Sequence, residues 1–455
     1  MKSPTASTVS LLARYVCGLK AADISDATKL RAAMCVLDTL GAIAAGLRVP
    51  SVVAARDASM DLFGKGNVPL WFDGRRTTPT GAMFANSSAA AVLDMDDGHI
   101  EARGHPAAAV IPAVLSLAAE IGASADEVLS AIAIAYEVGV RIKSGRGDHG
   151  QKGWNGQTGV WTGFCVAAAA GWLLKASEDQ VANGLSLAGV YSPGLVATSY
   201  TNQLGADVKE GIPWSTVAGY SSMVLAKSGH VGFADLLDHP PFYDPQRILA
   251  GLGVADLKIN SNYFKPYATC RHFHAGIKAL ETVIMEQGIK PGDITAIKVH
   301  IFDYALRLSN KTRPANLTDI QYSIPYCMAV VATLGTDALM PIDETLLERP
   351  EISALAEKVE IIPDAEYSAK YPGVALNRVE VVTRSGGYSS SATPPPSVAD
   401  APSPIEALVQ KFRRATRINL DQQQQEDVLR AFSIFLNGEI APLLEVIATP
   451  VSKAH

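Results

Sequence analysis

Cysteine is scarce in this chain: Cys17, Cys35, Cys165, Cys270 and Cys327 are odd in number, scattered, and never at CxxC spacing. Such a set supports neither a disulfide framework nor a zinc ribbon, and a reducing cytoplasm is the expected compartment. Long hydrophobic runs are also missing. The longest apolar stretch, Gly163 to Leu174, falls short of the ~20 residues a membrane span needs and reads as a buried helix. The N-terminal MKSPTASTVSLLARYVCGLK has no apolar core followed by a small-residue cleavage site, which argues against export. Positive charge is not in excess, with 39 Lys+Arg against 45 Asp+Glu and a pI near 5.9. Nothing here drives binding to a phosphate backbone, so no nucleic acid partner is expected. Walker A and HExxH spacings are absent as well, which removes the P-loop and zinc-protease readings.

What remains is an ordinary globular composition, 48% apolar and 18% charged over 455 residues, long enough for two domains. From Thr28 to about Ala250 the chain is rich in Ala, Leu, Val and Gly, in apolar segments longer than strands; that is helical texture. Ser124 with Glu127, and Ser177 with Gln180, have capping-box spacing, and Gly122 is placed to end the preceding helix. Ala107–Ala119 and Cys165–Leu174 are apolar on more than one face, so a multi-helix bundle is expected. After about residue 256, Ile297, Val299 and Ile301 alternate with Lys298 and His300, and Val379, Val381 and Thr383 with Glu380 and Val382; this predicts half-buried strands. Helix-like Ala275–Gln287 and Ile324–Leu334 lie between them. Ser385 to Pro404 is rich in Ser, Pro and Gly and reads as a linker, and Ile405–Ile447 is helical again. The expected fold class is therefore mainly α. A large all-helical domain, residues 1–256 and 402–455, is interrupted by a smaller α+β domain, residues 257–401.

The densest polar cluster, LDMDDGHIEARGHPAAAVIPA, places Asp94, Asp96, Asp97, His99, Glu101, Arg103 and His105 before an apolar helix. Pro106 suits a first helical turn, which puts His105 at or beside the N-cap. The positive helix end favours neutral imidazole, a usable base near pH 7, and free amides there can hold a carboxylate. The plain alternative is a capped helix with a solvated acidic loop. Asp and His are ligand types, but without HExxH or a cysteine pair no metal is expected. A second cluster, SGRGDHGQKGWNGQTG, packs glycines around Asp148, His149, Lys152, Trp154 and Asn155; it reads as a cavity-lining loop or simply as turns. Lys209 in GADVKEGIPW and Lys265 in NYFKPYATCRHFH sit beside apolar or aromatic residues. A lysine lowered in pKa by burial is a candidate base or carboxylate clamp, although most lysines are solvated surface. Arg271 and His272 in CRHFH make a cationic rim able to receive an anion. Tyr326 in SIPYCMAV is a core phenol or a proton donor.

Taken in order, LDMDDGH…GHPAAAVIPA, the loop ending GWNGQTG, GADVKEG, FKPYATCRHFH and SIPYCMAV resemble the MmgE/PrpD family across nearly the whole chain. The resemblance implies a helical domain with the α+β part as a lid, a homodimer, and a site between the domains. It implies action on small di- or tricarboxylates without metal or organic cofactor; members include 2-methylcitrate dehydratase, cis-aconitate decarboxylase and iminodisuccinate epimerase. By resemblance Asp94, His105, Lys209, Lys265 and Tyr326 match active-site positions. Gly98, His99, Arg103, His149, Asn155, Arg271 and His272 are taken as substrate-binding. Two departures stand out. Gly98 replaces the Ser or Thr common after the Asp pair, and Asn155-Gly156 replaces a common His-Pro, with His149 as a candidate substitute. An epimerase needs only removal and return of one proton alpha to a carboxylate, so the departures lean toward a cofactor-independent epimerase of an imino- or amino-dicarboxylate such as iminodisuccinate. A lysine, Lys209 or Lys265, paired with His105 or Tyr326 would supply the two bases. The alternatives are a 2-methylcitrate dehydratase-like or cis-aconitate decarboxylase-like lyase, and a non-catalytic helical binding protein.

Overall fold

A computed structural model describes residues 6–146, 157–193, 209–240, 242–254 and 256–451. Helices begin where the sequence supplies acceptors for orphan amides. Ser124 Oγ accepts the Glu127 N–H at 3.2 Å while Glu127 Oε2 accepts the Ser124 N–H at 3.0 Å, and Ser177 and Gln180 repeat the exchange. Helices Ala125–Ser144 and Glu178–Tyr191 follow, as the spacing predicts. Gly122, left-handed at φ +70°, closes helix Ala107–Ile121, a conformation that a Cβ would oppose. Every residue of helix Thr162–Leu173 is buried, so it sits at the centre of the bundle with neighbours on all sides. Close approach there needs small residues: a Cβ on Gly139 would lie 2.0 Å from Cys165 Sγ.

The second texture folds as a four-stranded sheet. Strand Ile294–Ile301 is flanked in parallel by Val359–Pro363 and antiparallel by Asn377–Thr383, with Gly386–Ser389 outside the latter. Ile297, Val299 and Ile301, and Val379 and Val381, point into a core shared with helices His274–Gln287 and Ile324–Leu334. The period-two pattern thus reports a one-sided sheet. The last helices, Pro404–Thr416, Gln422–Leu436 and Ala441–Ala448, return to the bundle, where Leu408, Phe412, Val428, Phe435, Leu443 and Ile447 join the helical core. Each such side chain contributes ~1.5–3 kcal/mol by burial. We propose domain boundaries at 256/257 and 401/402 on this basis.

With eighteen α-helices among the described residues against one small sheet and two two-residue ladders, the fold is mainly α. The helical part is not purely helical: Gly98–His99 pairs with Asn262–Tyr263. The linker expectation for Ser385–Pro404 is corrected. Gly386–Ser389 is an edge strand, and Ser397 ties the following segment down by accepting the Phe264 N–H while Val398 N–H donates to the Phe264 carbonyl. Serine hydroxyls here satisfy backbone groups that a flexible linker would leave to water. Among the described residues no single helix is long and apolar enough to cross a membrane.

Candidate active site

The segment between helices Pro79–Ala91 and Ala107–Ile121 carries the acidic cluster. Asp94 is left-handed at φ +53°, a conformation Asp tolerates better than most residues. That twist turns its carboxylate inward. Asp94 Oδ1 accepts from Lys265 Nζ at 2.9 Å and from Lys209 Nζ at 3.1 Å, and lies 3.5 Å from His105 Nε2. Lys265 also donates to the Asp94 carbonyl at 2.9 Å. The two lysines arrive from distant segments. Lys265 follows the short strand that pairs with Gly98–His99. Lys209 opens a run of three positive-φ residues, Lys209, Glu210 and Gly211, ahead of helix Ile212–Lys227. Strain of this kind persists where surrounding structure holds it.

Asp97 makes the helix start: its Oδ1 accepts the Ala107 N–H at 3.0 Å, and its Oδ2 accepts from Tyr136 and Asn262. His105 lies just before Pro106, the N-cap, as expected. Its Nδ1 is 2.8 Å from the Asp97 carbonyl. A carbonyl only accepts, so this contact assigns the proton to Nδ1 and leaves Nε2 with a lone pair. Burial, aided by the Lys265 charge and opposed by Asp94, holds the imidazole below its ordinary value, so His105 is a neutral base near pH 7.

The electrostatics separate the two lysines. Lys265 has no exposed surface, and although burial opposes its charge, Asp94 and then Asp96 outweigh it and hold the ammonium above its ordinary value. The expectation of a lysine base lowered by burial is therefore corrected for Lys265: its counter-ions win. It stands behind Asp94 and positions that carboxylate. Lys209, with 10% of its side chain exposed, and His105, with 13%, are the members that solvent reaches. Burial raises the Asp94 carboxyl, but Lys209, Lys265 and His105 together bring it well below the carboxylate range. Asp96 is the opposite case. Among the described residues its Oδ2 is buried without a hydrogen-bond partner, and burial pushes it well above the usual range, favouring the protonated form. Glu210 is held low by His105 and Lys209 against its burial, and accepts the Thr158 N–H at 2.9 Å. Charged Asp94 is thus matched by Lys209 and Lys265, and charged Glu210 by His105 and Lys209.

Asp94, Asp96 and His105 also offer ligand atoms within 4.8 Å of one another. A divalent cation there would sit beside the two ammonium groups already on Asp94, so the set matches an organic anion better than a metal.

Other sequence-predicted residues fall unevenly. Tyr326 is not brought to the group: it is wholly buried and its hydroxyl donates to the Leu346 carbonyl. The phenol at the cluster is Tyr322, whose hydroxyl accepts from Lys209 Nζ at 2.8 Å beside Gln321 Oε1 at 3.2 Å. Tyr322 sits in the same DIQYSIPYC segment, four residues earlier and ahead of the helix that holds Tyr326. His99 has both ring nitrogens near backbone, Nε2 at 2.9 Å from the Lys258 carbonyl and Nδ1 at 3.4 Å from the Ala102 N–H, which leaves it no atom for substrate. Arg103 is exposed and left-handed at φ +52°. Arg271 stacks on Tyr263. His272 bridges Cys270 Sγ and the Tyr371 hydroxyl, and burial lowers it to about 4. His149 and Asn155 lie outside the described residues. Lys411, which no motif suggested, reaches from helix Pro404–Thr416 to pair with Asp38 and to donate to the Met95 carbonyl at 2.7 Å. It anchors the acidic segment from behind.

Residues 10–242 match the MmgE/PrpD N-terminal domain and residues 267–433 the MmgE/PrpD C-terminal domain. The chain belongs to the MmgE/PrpD family. Among curated proteins, this MmgE/PrpD chain is 26% identical to a cis-aconitate decarboxylase of Aspergillus terreus over 486 residues, 98% of this chain and 96% of that protein. It is 23% identical to the cis-aconitate decarboxylase-like protein oryM of Aspergillus oryzae, over 98% of each. The C-terminal match covers the sheet and the first returning helix and ends inside the second.

Proposed function

We propose that this protein is an enzyme that moves a proton at a carbon alpha to a carboxylate in a small di- or tricarboxylic acid, and that its reaction is epimerisation of an iminodisuccinate-like imino- or amino-dicarboxylate. One observation carries the reading: the unprotonated Nε2 of His105 and the ammonium of Lys209 converge on one Asp94 oxygen at the solvent-reached end of the group. A base and a cation on one spot are what carbanion formation beside a carboxylate requires. His105 takes the alpha proton and becomes imidazolium, a charge that Asp94 stabilises. The electron pair left on carbon spreads into the adjacent carboxylate, whose oxygens face Lys209. Inversion needs a proton returned to the opposite face of that carbon, a step assigned here to the Tyr322 hydroxyl, which Lys209 holds by a hydrogen bond. Lys265 touches neither proton and keeps Asp94 ionised. The homodimer implied by the family resemblance is part of the proposal, and light scattering checks it.

A second reading is decarboxylation of cis-aconitate, favoured by the named activity of the Aspergillus relatives. It uses the same parts, with carbon dioxide leaving before the proton arrives. Incubation with a single stereoisomer of iminodisuccinate, followed by chiral chromatography, tests the first reading; interconversion without carbon dioxide release is expected. Carbon dioxide from cis-aconitate, with no interconversion, moves the assignment to the lyase. A new conjugated C=C absorbance from a hydroxy-acid moves it to a dehydratase.

A further inference from the structure

Tyr263 belongs to none of the ion pairs around Asp94, yet strand pairing sets it opposite Gly98, in the segment that carries Asp94. A Cβ on residue 98 would lie 2.2 Å from the Tyr263 hydroxyl oxygen and 2.3 Å from its Cζ. The phenol end therefore occupies the volume that any side chain at position 98 would fill. This accounts for the glycine: its role is to make room for a hydroxyl delivered from another strand. On the face of the same ring lies Arg271, with Cζ 3.7 Å from the centroid, close enough for a cation–π contact. Among the described residues Arg271 Nε is buried with no hydrogen-bond partner. A guanidinium N–H without a partner and the O–H of the ring that the guanidinium covers are together complementary to one planar acceptor with two oxygens.

We infer that Tyr263 is a substrate-binding residue, its hydroxyl and the Arg271 guanidinium together clamping one carboxylate of the substrate beside Gly98. The inference rests on the reading of the substrate as a small di- or tricarboxylic acid. Burial, opposed by Arg271 and Lys265, holds the phenol up at about 12, so it donates throughout the neutral range. The ring also keeps the guanidinium flat and aimed, which reduces the ordering that binding requires.

Calorimetric titration with succinate and with tricarballylate, neither of which carries a leaving hydroxyl or a double bond, tests the clamp directly. Tyr263→Phe keeps the ring over Gly98 and under Arg271 and removes only the hydroxyl. A hydrogen bond to a charged group supports a weakening of roughly 10-fold or more for both acids, with an unchanged melting temperature. If Tyr263→Phe fails to fold, Arg271→Gln carries the same expectation. Native protein that binds the acids and a folded Tyr263→Phe that binds them equally well overturn the clamp while leaving the carboxylate reading in place. Native protein that binds neither acid overturns both.

Discussion

Replacing Asp94 by asparagine keeps the shape of the side chain and removes the charge shared by Lys209, Lys265 and His105. Lys265 is the informative partner because it has no exposed surface. Deleting one member of a buried ion pair strands the other and costs ~3–5 kcal/mol. Asp96 sets the lower end of that range, since the Asp94 charge is one of the influences that keep its proton on. The pH dependence distinguishes a lost counter-ion from lost packing. In the native protein Lys265 stands above its ordinary 10.5, so its contribution is fully present below pH 10.5 and is lost as pH rises through the folded value. In Asp94→Asn, burial acts on Lys265 with its main opponent gone and the ammonium falls below 10.5. Between the two values the unfolded chain then binds more protons than the folded one, so stability rises with pH. Urea unfolding from pH 7 to 10 is the assay: the gap between native protein and variant is expected to be widest at pH 7 and to narrow toward pH 10. A loss below ~1 kcal/mol with a gap that does not change with pH would refute the counter-ion role.

Lys411→Met strands Asp38, whose Oδ2 already lacks a partner, and is expected to cost ~3–5 kcal/mol and to lower kcat by releasing Met95; Asp38→Asn combined with Lys411→Met regains part of the stability in thermal melts. Tyr322→Phe is expected to reduce kcat at least ~10-fold with little change in melting temperature, whereas Tyr326→Phe, which loses a buried hydrogen bond to Leu346, costs ~1–2 kcal/mol and leaves kcat near native. Because His105 titrates below its ordinary 6.5 and must be neutral to take a proton, kcat/KM is expected to hold down to below pH 6.5 before falling; an acid limb centred above 6.5 contradicts the assignment.

Much of this was legible in the residues, and the losses have physical causes. Capping boxes, the glycine stop at 122 and the period-two strands are local rules, and local rules survive folding. The acidic cluster was visible as a density of Asp and His with no structural excuse, and Lys209 and Lys265 came to notice by their apolar company. What the sequence does not display is distance between remote segments. Burial alone lowers a lysine, and the approach of Asp94, 171 positions away, with Asp96 behind it, reverses the sign for Lys265. Tyr322 and Tyr326 share one segment, but Tyr322 lies in the break between helices Leu317–Gln321 and Ile324–Leu334 and Tyr326 inside the second, so they point to different surroundings. Gly98 read as a missing hydroxyl, and the phenol that fills its place arrives on a strand about 165 residues later. The Ser385–Pro404 stretch misled because composition counts serines without knowing that they are satisfied by backbone.

Proton NMR in D2O, with iminodisuccinate, citrate, 2-methylcitrate and cis-aconitate in separate tubes and EDTA present, tests alpha-proton transfer by His105 most directly when native protein and His105→Asn are run side by side. The account predicts that native protein places deuterium on the alpha carbon of iminodisuccinate as its stereoisomers interconvert, and that the variant does not. No deuterium in any of the four acids, or exchange that persists in His105→Asn, would contradict it.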